Sequence, residues 1–464
     1  MPLQFNASQN PAPTYNPHPT QRTAQRGGAP LWTVFTTIAV LVFFLTLGMI
    51  GNVSSLAATN TVQHSPALVA QRTNAGVADW TVLVYMASDN NLETAALDNL
   101  REIARVGSSA NLNIVAQVDR IASPELWDDT TAGDWTTTKR FFVQPGMEPE
   151  AALAVQDLGE LNTGDPLTLA DFITWGVTTY PAQHYALVLW SHGAGWRGFA
   201  PDDSSGGDML TLPELRMALA IARARANFGT LDLIGFDACL MSQLDVLAII
   251  APYANVAVTS AEFEPTQGWA WADWLRALGA QPNQDGTTLA STIVKSYLSA
   301  YQGTGIEDIT LTAFDLTKIK PIVNELGRLS DALLGSLATS QVALARARAL
   351  ADTYAANRSS EFSTVDLGHL AQLLRTHGAT GEVAASAEAL DSAIRQARIA
   401  SGIGPRHRNA SGLSIYFPLT ATLYATIYTS ESPLPALTHW DKLLTAFYRL
   451  SENDSGGSGL DGFG

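Results

Sequence analysis

The pattern that most constrains this chain is an alternation of short apolar runs with longer stretches of helical periodicity. The runs are residues 80–87 (WTVLVYMA), 113–119 (NIVAQVD), 138–144 (TKRFFVQ), 185–190 (YALVLW), 231–237 (LDLIGFD) and 256–260 (VAVTS). Runs this short and continuous suit strands buried on both faces, as in a mostly parallel sheet covered by helices. Between them, residues 91–106 set Leu92, Ala96, Leu100 and Ile103 on one helical face, and residues 211–226 do the same with Leu215 and Leu219. The expectation is an α/β fold whose central sheet is sandwiched between helices. Beyond Gln281 the pattern turns more helical, at residues 340–356 and 381–400, with strands expected at 309–316 and 413–417. Residues 80–281 therefore read as the core and 282–450 as a helix-rich portion packed on it. Residues 451–464 (SENDSGGSGLDGFG) read as a flexible tail.

Two of the apolar runs end in reactive side chains. YALVLW leads into Ser191-His192-Gly193-Ala194-Gly195-Trp196, and LDLIGFD leads into Ala238-Cys239-Leu240. In an open parallel sheet the crevice beyond the strands' C-terminal ends is the usual ligand site, so neighbouring strands would bring His192 and Cys239 into one cleft. Cys239 is the chain's one cysteine, which excludes internal disulfides and thiolate-held metal clusters. The apolar stretch after it reads as a helix, whose N-terminal dipole would favour thiolate. The glycines after His192 allow close backbone approach, and the N–H groups of Gly193 and Cys239 could form an oxyanion hole. A lone cysteine is more often a packing residue, and a lone histidine a hydrogen-bonding one. It is their joint placement that points to nucleophilic catalysis. The run Gly193 to Gly198 spells G-x-G-x-x-G, yet loop composition follows where a dinucleotide site needs a helix. The histidines beyond residue 80 form no metal-ligand pair by spacing.

Ahead of this core, residues 1–30 are polar, with Arg22 and Arg26 as their charges, and read as a disordered tail. Residues 31–50 (LWTVFTTIAVLVFFLTLGMI) run 20 residues without a charge, the length of a membrane-spanning helix. With both arginines before the span, the tail stays in the cytoplasm and all that follows is carried across. Ser55 and Ala57 also fit a cleavage site, so retention as a membrane anchor competes with secretion after cleavage. Residues 51–79 read as a linker. The 464 residues carry 27 basic and 43 acidic side chains, a net charge of −16, with no cationic block. That balance argues against a nucleic-acid partner and favours basic groups in a partner or substrate.

The motifs resemble those of the clostripain family of cysteine peptidases, in the caspase-like group that also holds gingipains and legumain. The matching residues are Tyr85-Met86-Ala87-Ser88-Asp89-Asn90-Asn91-Leu92, Gln117-Val118-Asp119-Arg120, the LGELNTGDPLTLADFITW stretch from Leu158, His192-Gly193, Asp237-Ala238-Cys239 and Gly412 to Pro418. The resemblance implies a caspase-like α/β/α sandwich with His192 as general base and Cys239 as nucleophile, cleaving polypeptides through an acyl-enzyme without a cofactor for the chemistry. It implies that Asp237 lines the S1 pocket and selects Arg, or Lys, at P1. Glu262 and Glu264 are the acidic candidates of a second pocket wall. An Asn or Asp preference, or a non-catalytic binding protein on a peptidase scaffold, are the competing readings. Some members cut themselves between His and Cys, an interval holding Arg197, Arg216, Arg223 and Arg225, the last three in an expected helix. Some depend on calcium, whose preference for oxygen suits Asp202, Asp203 and Asp208.

Overall fold

The computed structural model describes residues 77–122, 129–355 and 363–456, with side chains described as far as residue 450. The expected tail, apolar span and most of the linker, residues 1–76, lie outside the described residues. Among the described residues no helix is long and apolar enough to cross a membrane.

In chain order the strands are β1 (Ala78–Ser88), β2 (Leu112–Arg120), β3 (Lys139–Phe142), β4 (Gln156–Asp157), β5 (Ala182–Trp190), β6 (Phe199–Asp202), β7 (Asp208–Leu210), β8 (Leu231–Asp237), β9 (Ala254–Thr259), β10 (Thr310–Asp315), β11 (Thr353–Tyr354), β12 (Thr364–Asp366), β13 (Arg398–Ile403) and β14 (Ser414–Tyr416). Nine of them form one sheet in the order β13-β10-β9-β8-β5-β1-β2-β3-β4. The middle of that sheet, β9-β8-β5-β1-β2, is parallel throughout, and the strands at both edges run antiparallel.

Alternation along each central strand divides the core into two layers. Leu83, Tyr85, Ala87, Leu187, Leu189, Ile234 and Phe236 pack one face against the helices Pro166–Thr179, Leu212–Ala226 and Ile319–Gly335. Val82, Val84, Met86, Ala186, Val188, Trp190 and Leu233 pack the other against Glu93–Ala104, Trp271–Ala280 and Gly286–Tyr301. Because side chains on a strand point alternately to opposite faces, strands apolar at every position need helices on both sides, which gives the expected α/β/α layering.

Three segments differ from expectation. The helix Gly381–Ala397 stops short and runs directly into β13, which joins the main sheet beside β10. The helix-rich portion beyond residue 282 thus completes the same sheet as the core. The stretch expected to be loop, residues 199–207, holds β6 and the turn of the β6–β7 hairpin. The last helix, Trp440–Gly456, continues through the first six residues of the expected tail.

Candidate active site

Parallel pairing sets the two reactive segments side by side. Trp190, the last residue of β5, pairs with Asp237, the last of β8, so His192 and Cys239 each lie two residues past a matched strand end. The segments remain joined beyond the sheet. Ser191 donates its N–H to the Asp237 carbonyl at 3.4 Å and its hydroxyl to the Ala87 carbonyl at 2.7 Å. A Cβ on Gly193 would lie 2.2 Å from the Cys239 carbonyl oxygen, and one on Gly195 would lie 2.0 Å from the Gln243 amide. The expected close approach is therefore real, and the nearest backbone is that of the cysteine loop.

His192 is half-buried, and its Nε2 lies 2.6 Å from Asn91 Oδ1. An amide oxygen only accepts, so Nε2 carries the proton and Nδ1 keeps the lone pair. Burial lowers the His192 pKa to about 4, which leaves the imidazole neutral and able to act as a base at neutral pH. Cys239 is also half-buried, and its Sγ accepts the Glu264 N–H at 3.3 Å.

The expected helix start at Cys239 is corrected by the structure. After Cys239 the chain turns through Leu240 at φ 63°, a left-handed conformation unusual for leucine, and the helix begins only at Leu244. Tertiary bonds keep residues 240–243 out of the helix: Leu240 N–H donates to the Glu262 carbonyl, Ser242 N–H to the Ser260 carbonyl, and Gln243 Oε1 accepts the Trp196 N–H. No helix dipole therefore acts on the thiol.

Beneath the cysteine loop lies an acidic pair. Asp237 is buried, and its Oδ2 accepts from Trp271 Nε1 at 2.9 Å and from the Trp269 N–H at 3.2 Å. It therefore caps no helix. Glu264 faces it, with both carboxylate oxygens shut off from solvent and no hydrogen bond of good geometry to either. Burial raises the Asp237 pKa to about 6, only partly offset by its hydrogen bonds. Glu264 is raised well above the usual range by burial and then by repulsion from Asp237. Each carboxylate of the pair thus opposes ionisation of the other. Gly268, at φ 63°, packs against this pair, since a Cβ there would come within 2.8 Å of both Asp237 oxygens. The wall is aromatic, made of Trp269, Trp271 and Tyr301, the last donating its hydroxyl to the Gly268 carbonyl at 2.7 Å. Asn99, on the helix Glu93–Ala104, ties this wall to the sheet by accepting from Trp190 Nε1 and donating to the Gln267 carbonyl.

Glu262 points away from this pair. It accepts the N–H groups of Ala355 and Phe263 and lies 3.5 Å from His407 Nε2. Arg216, Arg223 and Arg225 lie on the helix Leu212–Ala226, while Arg197 sits in a short 3-10 turn with its guanidinium over the Trp196 ring.

A second acidic group occupies the same edge of the sheet. Asp89, Asp119, Glu160 and Asp202 each offer an oxygen, all within 4.8 Å of one another. Burial and then Asp89 and Asp202 raise the Glu160 pKa to about 7, and burial is also the main cause of the upward shifts at Asp89 and Asp119. Of the three aspartates singled out for calcium, Asp202 joins this group. Asp203 and Asp208 are exposed, and Asp208 instead accepts from Asn162 Nδ2 at 2.7 Å. Sequence reasoning attached no role to Asn91, Asp89, Asp119 or Glu160, although all four stand in the motifs that carried the resemblance.

A thiol and an imidazole on the neighbouring strands of such a sandwich suit a cysteine peptidase, and comparison with known proteins leads to the same class. The profile of the clostripain family, Peptidase C11, matches residues 84–430, and the chain belongs to that family. Clostripain from Hathewaya histolytica is 23% identical over 419 residues, covering 78% of each chain. Among solved structures, a secreted C11 cysteine protease from Bacteroides thetaiotaomicron, in complex with an irreversible peptide inhibitor, superposes with a TM-score of 0.57 at 19% identity. That match covers 78% of this chain and 99% of the other. An inactive zymogen C11 protease from Parabacteroides distasonis superposes with a TM-score of 0.55 at 21% identity, over 81% and 98% of the two chains. As a member of the family the protein is a cysteine endopeptidase, and the thiol chemistry of that class calls for no cofactor.

Proposed function

We propose that the protein cleaves polypeptides after Arg or Lys, with Cys239 as nucleophile and His192 as base, and that it works outside the cytoplasm. His192 Nδ1 takes the Sγ proton, and the thiolate adds to the scissile carbonyl. The N–H groups of Gly193 and Cys239 receive the oxyanion. The C–N bond then breaks as the imidazolium gives its proton to the leaving amine, leaving a thioester on Cys239. Water, deprotonated by His192, releases the acid product and restores the thiol.

The observation that carries the substrate class is the Asp237–Glu264 pair below the cysteine loop. These two buried carboxylates, which have no cationic partner among the described residues and lie against tryptophan and tyrosine, are a charge that a guanidinium or ammonium would neutralise. Arginine gains most, because its planar fork can bond both acids and lie against the aromatic wall. Glu262, turned towards His407, takes no part in this pocket. The extracytoplasmic placement rests on the uncharged run at residues 31–50 and the two arginines before it.

Paired peptide reporters with Arg, Lys, Asn or Asp at P1, tested on the purified protein and on Cys239→Ala, decide the reading. Turnover of Arg and Lys reporters that disappears in the variant is expected. Turnover confined to Asn or Asp reporters would refute the specificity, and silence from a folded protein on all four would refute the catalytic assignment.

A further inference from the structure

We propose that His407 is a positioning residue for the nucleophile: seated between Glu262 and Asp352, it fixes by its charge the segment 262–264 that clasps Cys239. This role rests on the reading of Cys239 as nucleophile, and it gives the C-terminal portion a share in the geometry of the dyad.

The contacts run without a gap from ring to sulfur. His407 closes a short 3-10 turn, Pro405–His407, and is buried. Its Nε2 lies 3.5 Å from Glu262 Oε2, and its Nδ1 lies 3.9 Å from Asp352 Oδ1. The Glu262 carboxylate in turn accepts the Phe263 N–H at 2.8 Å and the Ala355 N–H at 3.1 Å. One of these donors is the next residue of its own chain, so a shift of the carboxylate moves the backbone with it. The Glu262 carbonyl accepts the Leu240 N–H at 3.2 Å and the Ser260 hydroxyl at 2.9 Å, and the Glu264 N–H donates to Cys239 Sγ at 3.3 Å. The nucleophile is therefore gripped at the residue after it and at its sulfur, both times by this segment. An N–H aimed at the sulfur favours thiolate over thiol.

The ring acts through charge rather than through one directed bond. Both of its nitrogens are shut off from solvent, and neither makes a hydrogen bond of good geometry. Among the described residues neither Glu262 nor Asp352 forms an ion pair with a lysine or arginine. The neighbouring groups supply no cation either. The Tyr354 ring lies 5.1 Å away with its hydroxyl given to Asp366, and His369 Nδ1 accepts the Asp352 N–H, which a protonated ring could not do. Burial opposes the His407 charge, but Asp352 and Glu262 outweigh it and raise the pKa to about 9, so the ring is cationic at neutral pH. Without that cation Glu262 would keep a buried charge with no counter-ion. It would then relax towards water and draw the Glu264 N–H from the sulfur.

Because Cys239 is the chain's one cysteine, its alkylation by iodoacetamide in the full-length protein reads this sulfur alone. His407→Gln is expected to slow alkylation at pH 7 roughly 3- to 10-fold. Adding Glu262→Gln, whose amide oxygen can still accept from Phe263 and Ala355, removes the stranded charge and should restore the rate to within about twofold of the parent. His439→Gln alters a histidine–carboxylate pair at the surface and should change nothing. On Arg reporters kcat should follow alkylation while KM stays. The parent's kcat should also fall as pH passes about 9, a limb absent from the double variant, and this comparison decides the matter if His407→Gln does not fold. An unchanged alkylation rate in a folded His407→Gln, a double variant as slow as the single one, or the same alkaline limb in parent and double variant would overturn the proposal. Alkylation that behaves as expected beside silence on every reporter would support the clasp and refute the catalytic assignment instead.

Discussion

Asn91 decides which nitrogen of His192 is basic. With the amide oxygen bonded to Nε2, the lone pair stays on Nδ1 without any carboxylate in contact with the ring. Asn91→Ala is expected to lower kcat roughly 10- to 100-fold with KM little changed, since the base loses its orientation but the pocket is untouched. Asn91→Asp keeps the acceptor and adds a charge, so it should recover most of kcat and move the acidic limb of the pH profile upward. Equal losses in both variants would refute the positioning role. Asp237 makes a different prediction. Its pKa of about 6 means that the pocket loses its charge as pH falls through 6, so KM for basic substrates should rise there. Asp237→Asn should remove this dependence and cut kcat/KM for Arg reporters at least about 100-fold. The same substitution should stabilise the fold at pH 7 by on the order of 1 kcal/mol, because it removes a buried charge. Titrating kcat/KM and measuring Tm on one preparation checks both parts.

The elements explain why some of this arrangement could be read from the sequence and some could not. Central strands were legible because each carries a short, mostly apolar run, and the ends of β5 and β8 were legible because a histidine or cysteine follows that run. Strand β13 was hidden for the opposite reason. It is a half-exposed edge strand, RIASGI, and no glycine or proline separates it from the helix before it. The stretch after Cys239 was hidden because its apolar residues also suit a helix, and it is bonds to distant residues, Trp196, Ser260, Glu262, Gly412 and Ser414, that keep it open. The acidic group is invisible to spacing, since its members come from four separate segments that the sheet brings together. Gly193 belongs to the legible part and can be tested directly. A methyl group there would collide with the Cys239 carbonyl and the Met241 side chain, so Gly193→Ala should push the two loops apart. The expected result is loss of at least about 90% of kcat/KM with Tm lowered by only a few degrees. Retained activity would mean that the loops need not touch.

At the scale of the whole molecule, the cysteine loop is supported from behind by the C-terminal portion. His407 lies buried between Glu262 and Asp352, at 3.5 and 3.9 Å. Burial alone would lower its pKa, but the two carboxylates prevail and raise it to about 9. A base whose pKa is raised on folding contributes stability fully below its unfolded value, near 6.5, and loses that contribution as pH rises through 9. Melting curves should therefore show up to about 2 kcal/mol lost between pH 7 and pH 10, and His407→Phe should flatten that slope. The sequence shows the five central strands but not this dependence, because Glu262, Asp352 and His407 meet only through tertiary packing.

Ser242, three residues past Cys239, donates its hydroxyl to the Gly412 carbonyl, and its own carbonyl accepts the Ser414 N–H. Those partners are more than 160 residues downstream, just before and at the start of β14, the strand that closes the small β11-β12-β14 sheet. A ribosome will have made His192, Cys239 and the Asp237–Glu264 pair long before it makes the brace behind Cys239. The order of synthesis is thus a timer: the nascent chain presents Cys239 early, but gains the bonds behind it only once the segment from Gly412 to Ser414 has emerged.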